Sequence, residues 1–273
     1  MKALLLAVLA AYFVAAIHSV LAFVNKRRAL QRVSDASVVI GFVLHTAALI
    51  ADWAIDGRYP LLSLRELLSF LAWTTVAAYG AVLYRYKAQA LGFVAMPLVC
   101  VLTFAAMLTK IGPVDAADQF SGASAKWLVP LHATLLSFAY AAFFVVLVAS
   151  VMYLLQEREL KLKTFSAIFH RLPPLTTVND IATAAATIGL TLLTLGIVTG
   201  VLRWKTGGGQ IWHNDPKEIA TVLTWLLYVA LIAYRSTKHW RGRKAAWLGV
   251  VGFVLVLFTF LGTRLMGSYH AFG

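Results

Sequence analysis

The segment GGGQIWHNDPKEIATVLTW, residues 207–225, sets an indole, an imidazole and a cluster of polar residues between two long apolar runs. Asp215 before Pro216 is the pattern of a helix start. Asp is a favoured N-cap, and proline suits the first helical position, where its missing N–H has no partner to lose. Glu218 stands three residues after the cap, the spacing of a capping box. Such a segment is first of all structural. It also offers unpaired N–H groups and the positive end of a helix dipole to an anion, and Lys217 adds charge. A flat, apolar ligand carrying carboxylates would rest with its acids near the helix start and its body against Trp212.

The histidines come next. His132 lies in WLVPLHATLLSFAYAAF and His270 in GSYHAFG, each beside an apolar run. Two imidazoles facing each other across an aromatic site suit the iron of a haem. Imidazole serves zinc or copper as well, and spacing alone does not choose among them. A single histidine at a membrane edge is more often an interfacial hydrogen-bonding group. His45, His18 and Glu66 fall inside or just within apolar runs. Ionisable groups at membrane depth are costly, which makes them functional suspects, although a neutral imidazole also bonds quietly between helices. Near an edge, Glu66 is expected to pair with Arg65 or Lys217. The single cysteine, Cys100, rules out a CxxC motif and a disulfide framework. The sequence shows no nucleotide loop, no nucleophile–base arrangement and no zincin signature.

The elements that must position these residues are membrane spans. Of 273 residues, 61% are hydrophobic, against about 45–50% in a soluble domain, and mean hydropathy is +0.80. Eight apolar runs fall at about residues 3–24, 37–54, 64–84, 90–109, 128–155, 181–202, 217–235 and 244–264. Each is long enough for an apolar crossing or most of one, and a spanning backbone must satisfy its own hydrogen bonds, so each reads as a helix. The fold class is an all-α membrane protein of eight transmembrane helices forming one polytopic domain over residues 1–273. The first run lacks a small-residue cleavage site and is expected to be retained. The charged QERELKLK extends the fifth helix, and Pro173 and Pro174 stop any helix before the sixth.

Charge sets orientation. The loops after runs 1, 3, 5 and 7 hold 15 of the 24 Lys and Arg residues. The positive-inside bias therefore puts those loops in the cytoplasm and both termini outside. The 203–218 loop, His132 and His270 then share the outer side. The formal charge of +13 faces anionic lipid headgroups. No nucleic-acid partner is expected, because no recognition fold remains outside the membrane.

Several motifs in order now carry a resemblance. SLRELLSFLAW, WLVPLHATLLSFAYAAF followed by YLLQERELK, LPPLTTVNDI, LLTLGIVTG, WHNDPKEIATVLTWLLY and WRGRKAAWLGVVGFVLVLFTFLG resemble the WWD-domain haem-handling family of cytochrome c assembly. The membrane subunit of the system II cytochrome c synthase and short, eight-span HemX-like members are the nearest in kind. The resemblance implies an outer aromatic shelf for haem at a WWD-like loop, residues 203–218. It places axial ligands at His132 and His270, and assigns Gly209, Trp212, Asp215, Pro216, Lys217, Glu218, Trp225 and Tyr228 to the loop and the helix after it. His45 matches a second-span histidine that short members often show. Gly208 and Asn214 stand where two family tryptophans belong. Tyr269 takes the terminal histidine's place, with His270 one residue later. Tyr234 stands about where the synthase carries an inner histidine, and His213 is a substitute ligand to consider.

The resulting expectation is haem b binding and presentation at the outer face of a bacterial inner membrane. Trp212 and Trp127 would stack on the haem, and His132 and His270 would hold its iron. Asp215, Lys217 and Glu218 would face the propionates. The expected partners are haem, an apocytochrome c, another assembly subunit and anionic lipids. The chain alone is not expected to be an enzyme, but to serve within a cytochrome c haem lyase. Two rivals remain: a non-catalytic membrane scaffold or regulator with a degenerate haem site, and a small-solute transporter lined by His45, His18 and Glu66.

Overall fold

The structure is a computed structural model that describes residues 2–25, 27–57, 59, 61, 63–109, 125–163, 169–206, 214–236 and 242–262. The long helices are α1 (Lys2–Asn25), α2 (Arg28–Asp56), α3 (Leu64–Tyr86), α4 (Gly92–Leu108), α5 (Ala125–Leu162), α6 (Leu175–Thr206), α7 (Pro216–Ser236) and α8 (Arg243–Leu257). A π-helical turn, Phe258–Gly262, continues α8. Among the described residues all regular structure is helical. Eight helices are long and apolar enough to cross a membrane.

The expected runs and the observed helices coincide in number and order, but several of the helices are longer. α2 starts at Arg28 and α6 at Leu175, each several residues before its apolar run. Apolarity marks the stretch that meets hydrocarbon, whereas the backbone ladder continues into the polar margin. There, polar pairs such as Gln31 to Asp35 (2.8 Å) support the extra turns. At 38 residues, α5 spans roughly 57 Å at 1.5 Å per residue, well beyond the ~30 Å of a hydrocarbon core. Its charged end carries an ion pair between Lys161 and Glu157, 2.7 Å apart.

The helices group into two compact units, one of α1–α4 and one of α5–α8. In each, successive helices pack together and the fourth closes back on the first. Lipid tails are as apolar as leucine, so helices in a membrane associate through close packing and interhelical hydrogen bonds.

In the first unit, Tyr12 of α1 is fully buried and lies directly over Gly41 of α2. A Cβ at Gly41 would stand 2.5 Å from the tyrosine ring. The Trp73 indole of α3 donates to Thr46 Oγ1 of α2 at 2.9 Å and stacks near Phe42 and Phe70. Tyr79 of α3 lies against Gly92 of α4.

The second unit repeats this logic. Phe143 of α5 is fully buried and lies over Gly189 of α6, where a Cβ would stand 2.5 Å from its ring. On its other face Phe143 stacks on Tyr228 of α7, with ring centroids 3.7 Å apart and planes 17° from parallel. Tyr228 in turn abuts Gly252 of α8. Trp225 of α7 donates to Thr194 Oγ1 of α6 at 2.9 Å. On α7, Ala220, Thr224, Tyr228, Leu231 and Arg235 form one buried stripe, while Ile219, Val222, Leu223 and Leu226 are exposed on other faces.

Arg235 differs from expectation. The charge count assigns it to a loop that meets lipid headgroups, yet it is only 5% exposed. Its Nη1 donates to Asn179 Oδ1 at 2.9 Å and to Thr183 Oγ1 at 3.2 Å, both on α6. A guanidinium in the last turn of a spanning helix needs polar partners if it does not reach water, and α6 supplies them.

Gly189→Ala should destabilise the protein by about 1–3 kcal/mol, because the new methyl meets a ring already held on its other face. Gly80→Ala should be neutral or stabilising by up to about 1 kcal/mol, since nothing lies within 4 Å of the added atom. Thermal unfolding of the two purified variants in detergent checks the contrast.

Candidate functional site

Within the second unit, the first turns of α5, the last turns of α6 and the start of α7 hold His132, Gly196, Gly200 and Asp215. His132 is half-buried on α5 and leans onto α6. Its Nδ1 lies 2.7 Å from the carbonyl oxygen of Gly196. A carbonyl can only accept, so Nδ1 carries a proton, and in the neutral ring the lone pair then falls on Nε2. This is the arrangement of metal-binding histidines, in which a bond at one ring nitrogen fixes the tautomer and aims the other.

Gly200 makes room for the ring. A Cβ at Gly200 would stand 3.0 Å from His132 Cε1 and 3.1 Å from Nδ1. Leu136, the next residue of α5 on this side, fills the space over Gly196, where a Cβ would lie 2.6 Å from its Cδ2. The contacts His132–Gly200, Leu136–Gly196 and Phe143–Gly189 step in opposite directions along the two helices at matched intervals. The antiparallel register of α5 and α6 thus sets the depth of the imidazole. Thr199 reinforces the acceptor, donating its hydroxyl to Gly196 O at 2.8 Å. The sequence reading singled out His132 but gave no role to Gly196 or Gly200. Their Gly-xxx-Gly spacing, a mark of close helix approach, was the available clue.

The start of α7 forms as its sequence dictates. Asp215 is 3% exposed, and its Oδ1 accepts the Lys217 backbone N–H at 3.0 Å. Its carbonyl accepts from Ile219 N at 3.1 Å. The helix therefore begins with its own carboxylate at its leading amides. Asn214 before it has φ +53°. That left-handed conformation costs most residues roughly 1–2 kcal/mol, while asparagine visits it readily. Asparagine at this position agrees with this backbone.

Trp127, one of the expected stacking residues, is 59% exposed near the start of α5. Trp212, His213 and His270 lie outside the described residues, as do Gly208, Gly209 and Tyr269. Among the described residues no three or more His, Cys, Asp or Glu gather as they would around a metal ion held by protein alone. A haem would bring ring nitrogens of its own, so the protein would need to supply little more than an imidazole such as that of His132.

The intramembrane suspects have local partners in the first unit. His45 is fully buried, with Nδ1 3.3 Å from Tyr12 Oη and Nε2 2.9 Å from Ser69 Oγ. It ties α1, α2 and α3 together. His18 Nδ1 bonds the Val14 carbonyl of its own helix at 2.8 Å. Glu66 closes a capping box with Ser63, in which Ser63 N donates to Oε2 at 3.0 Å and Glu66 N to Ser63 Oγ at 3.2 Å. Ser-Leu-Arg-Glu announces that box in the sequence. These bonds give all three residues a structural use.

Together, the eight long apolar helices define a multi-span membrane protein. Residues 61–270 match the family described as cytochrome C assembly protein, and the chain belongs to that family. It is 29% identical to the cytochrome c biogenesis protein CcsA of Prochlorococcus marinus (strain MIT 9301), with 85% of this chain and 81% of the relative covered. The CcsA protein of Microcystis aeruginosa (strain NIES-843 / IAM M-2473) is 28% identical, with 89% and 88% covered. That of Guillardia theta is 26% identical, with 87% and 84% covered.

Asp215→Ala should destabilise the protein by about 0.5–2 kcal/mol through loss of the cap, and Asp215→Asn should cost far less, because asparagine caps nearly as well. The melting temperatures of the two variants, each beside the parent, provide the measurement.

Proposed function

We propose that this chain binds haem at the outer face of a bacterial inner membrane and presents it for attachment to an apocytochrome c. In this reading it is a subunit or accessory of a system II cytochrome c synthase, a short HemX-like member with a reduced WWD loop. The observation that carries the proposal is the imidazole of His132, fixed through Nδ1 by the Gly196 carbonyl. Family membership and the CcsA relatives support it.

His132, through Nε2, and His270 would hold the iron. Trp212 and Trp127 give the porphyrin aromatic faces. Lys217 and the positive end of the α7 dipole favour the propionates. Asp215 sets where that end lies, and Glu218 shapes its first turn. His45 acts at a distance, holding the first unit together. When bound, haem supplies the iron and the porphyrin edge to be joined to the partner. The thiols come from the apocytochrome, since Cys100 sits mid-helix in α4. Haem b is the form expected, because attachment follows presentation. The excess of basic residues on the loops after α1, α3, α5 and α7 places both termini on the periplasmic side.

The scaffold reading has one observation in its favour, the replacement of two loop tryptophans by Gly208 and Asn214. An absorption spectrum decides between the two. Purified parent protein should show a Soret band with or without added haem. His132→Ala should weaken or shift it, and Gly200→Leu should do so without removing any ligand. No band in the parent would overturn the haem reading. Unchanged cytochrome c content in cells carrying His132→Ala and His270→Ala would favour the scaffold.

A further inference from the structure

A groove of about 660 Å³ runs between the C-terminal part of α5 and the first turns of α8. Its floor is apolar, with Val151 and Leu155 on α5 and Trp247 on α8, and its rim is cationic, with Arg158, Lys161 and Arg243. Floor residues this apolar are normally covered, yet Val151, Leu155 and Trp247 are 40%, 44% and 51% exposed. They face the membrane, not the interior of the unit.

The rim is not neutralised. Lys161 pairs with Glu157 at 2.7 Å. Arg158 and Arg243 have no ion pair among the described residues. Two guanidinium groups at one end of an apolar trough match a phosphate with hydrocarbon behind it, because the guanidinium fork suits phosphate oxygens. Trp247 lies between the charged end and the apolar stretch, where amphipathic rings collect at a membrane–water boundary.

We propose that this groove binds one anionic glycerophospholipid, with its phosphate on Arg158 and Arg243 and an acyl chain along Val151, Leu155 and Trp247. The charge complementarity selects the occupant. A zwitterionic lipid would bring its own cation to a cationic rim, and a free phosphate would leave the apolar floor uncovered. The diffuse attraction of a basic chain to acidic headgroups is thereby concentrated at one place. This site is independent of the haem reading.

Native mass spectrometry and thermal unfolding of the full chain in detergent test the proposal. Four probes are added: phosphatidylglycerol, cardiolipin, phosphatidylcholine and glycerol 3-phosphate. Phosphatidylglycerol or cardiolipin should stay bound and raise the melting temperature, and the other two should do neither. The double variant Arg158→Gln/Arg243→Gln should lose at least tenfold in affinity for the anionic lipids while melting like the parent without lipid. Each single variant should lose a part of that affinity. Lys87→Gln, in the first unit, should change nothing. The proposal is overturned if phosphatidylcholine binds as well as phosphatidylglycerol, or if glycerol 3-phosphate alone reproduces the stabilisation. Full lipid affinity in the double variant, or in both single variants, would also overturn it.

Discussion

The structure depends on one kind of contact, an aromatic ring packed against a neighbouring helix where that helix has no side chain. Hydrophobic burial does little to bring helices together in lipid, so van der Waals contact at short range must do more. Tyr12 on Gly41 and Phe143 on Gly189 are the two central examples, one in each unit. Each is followed on the glycine-bearing helix by a threonine that accepts from a tryptophan on the next helix, Thr46 from Trp73 and Thr194 from Trp225. Each unit also sets a tyrosine of its third helix against a glycine of its fourth. The same physical solution is used twice in one chain.

The candidate site inherits its geometry from this packing. Because Phe143 and Leu136 fix how α5 slides along α6, His132 meets the Gly196 carbonyl and the bare backbone of Gly200. The hydrogen bond that orients the imidazole is thus set by helix register, the same register that buries the core. Tyr228, stacked on Phe143, carries that order to α7, whose first residues form the polar tip of the site.

Much of this was legible in the sequence. Apolar run length revealed the spans, Asp215-Pro216 revealed the start of α7, and QERELKLK revealed the extension of α5. What escaped was interhelical. A single sequence shows that His132 stands near a boundary, but not that a carbonyl on another helix faces it. Gly-xxx-Gly at 196 and 200 was visible, but its partner was not. Arg235 read as a loop charge because counting cannot tell a guanidinium that meets water from one that meets Asn179 and Thr183. Glu66 is buried, as its place just inside the third run suggested, but its role as the closing acid of the Ser63 capping box was missed because the run was read for hydropathy and not for cap spacing.

The anchoring of α7 has one more consequence. Its 21 residues make a stiff rod of roughly 30 Å, clamped at one extremity by the Arg235 guanidinium and carrying the Asp215 tip at the other. A rod so clamped has little freedom to slide or roll by itself. Loss of the Asn179 or Thr183 side chain would therefore loosen α7 at the end opposite Asp215, so residues far along the unit bear on the setting of that tip.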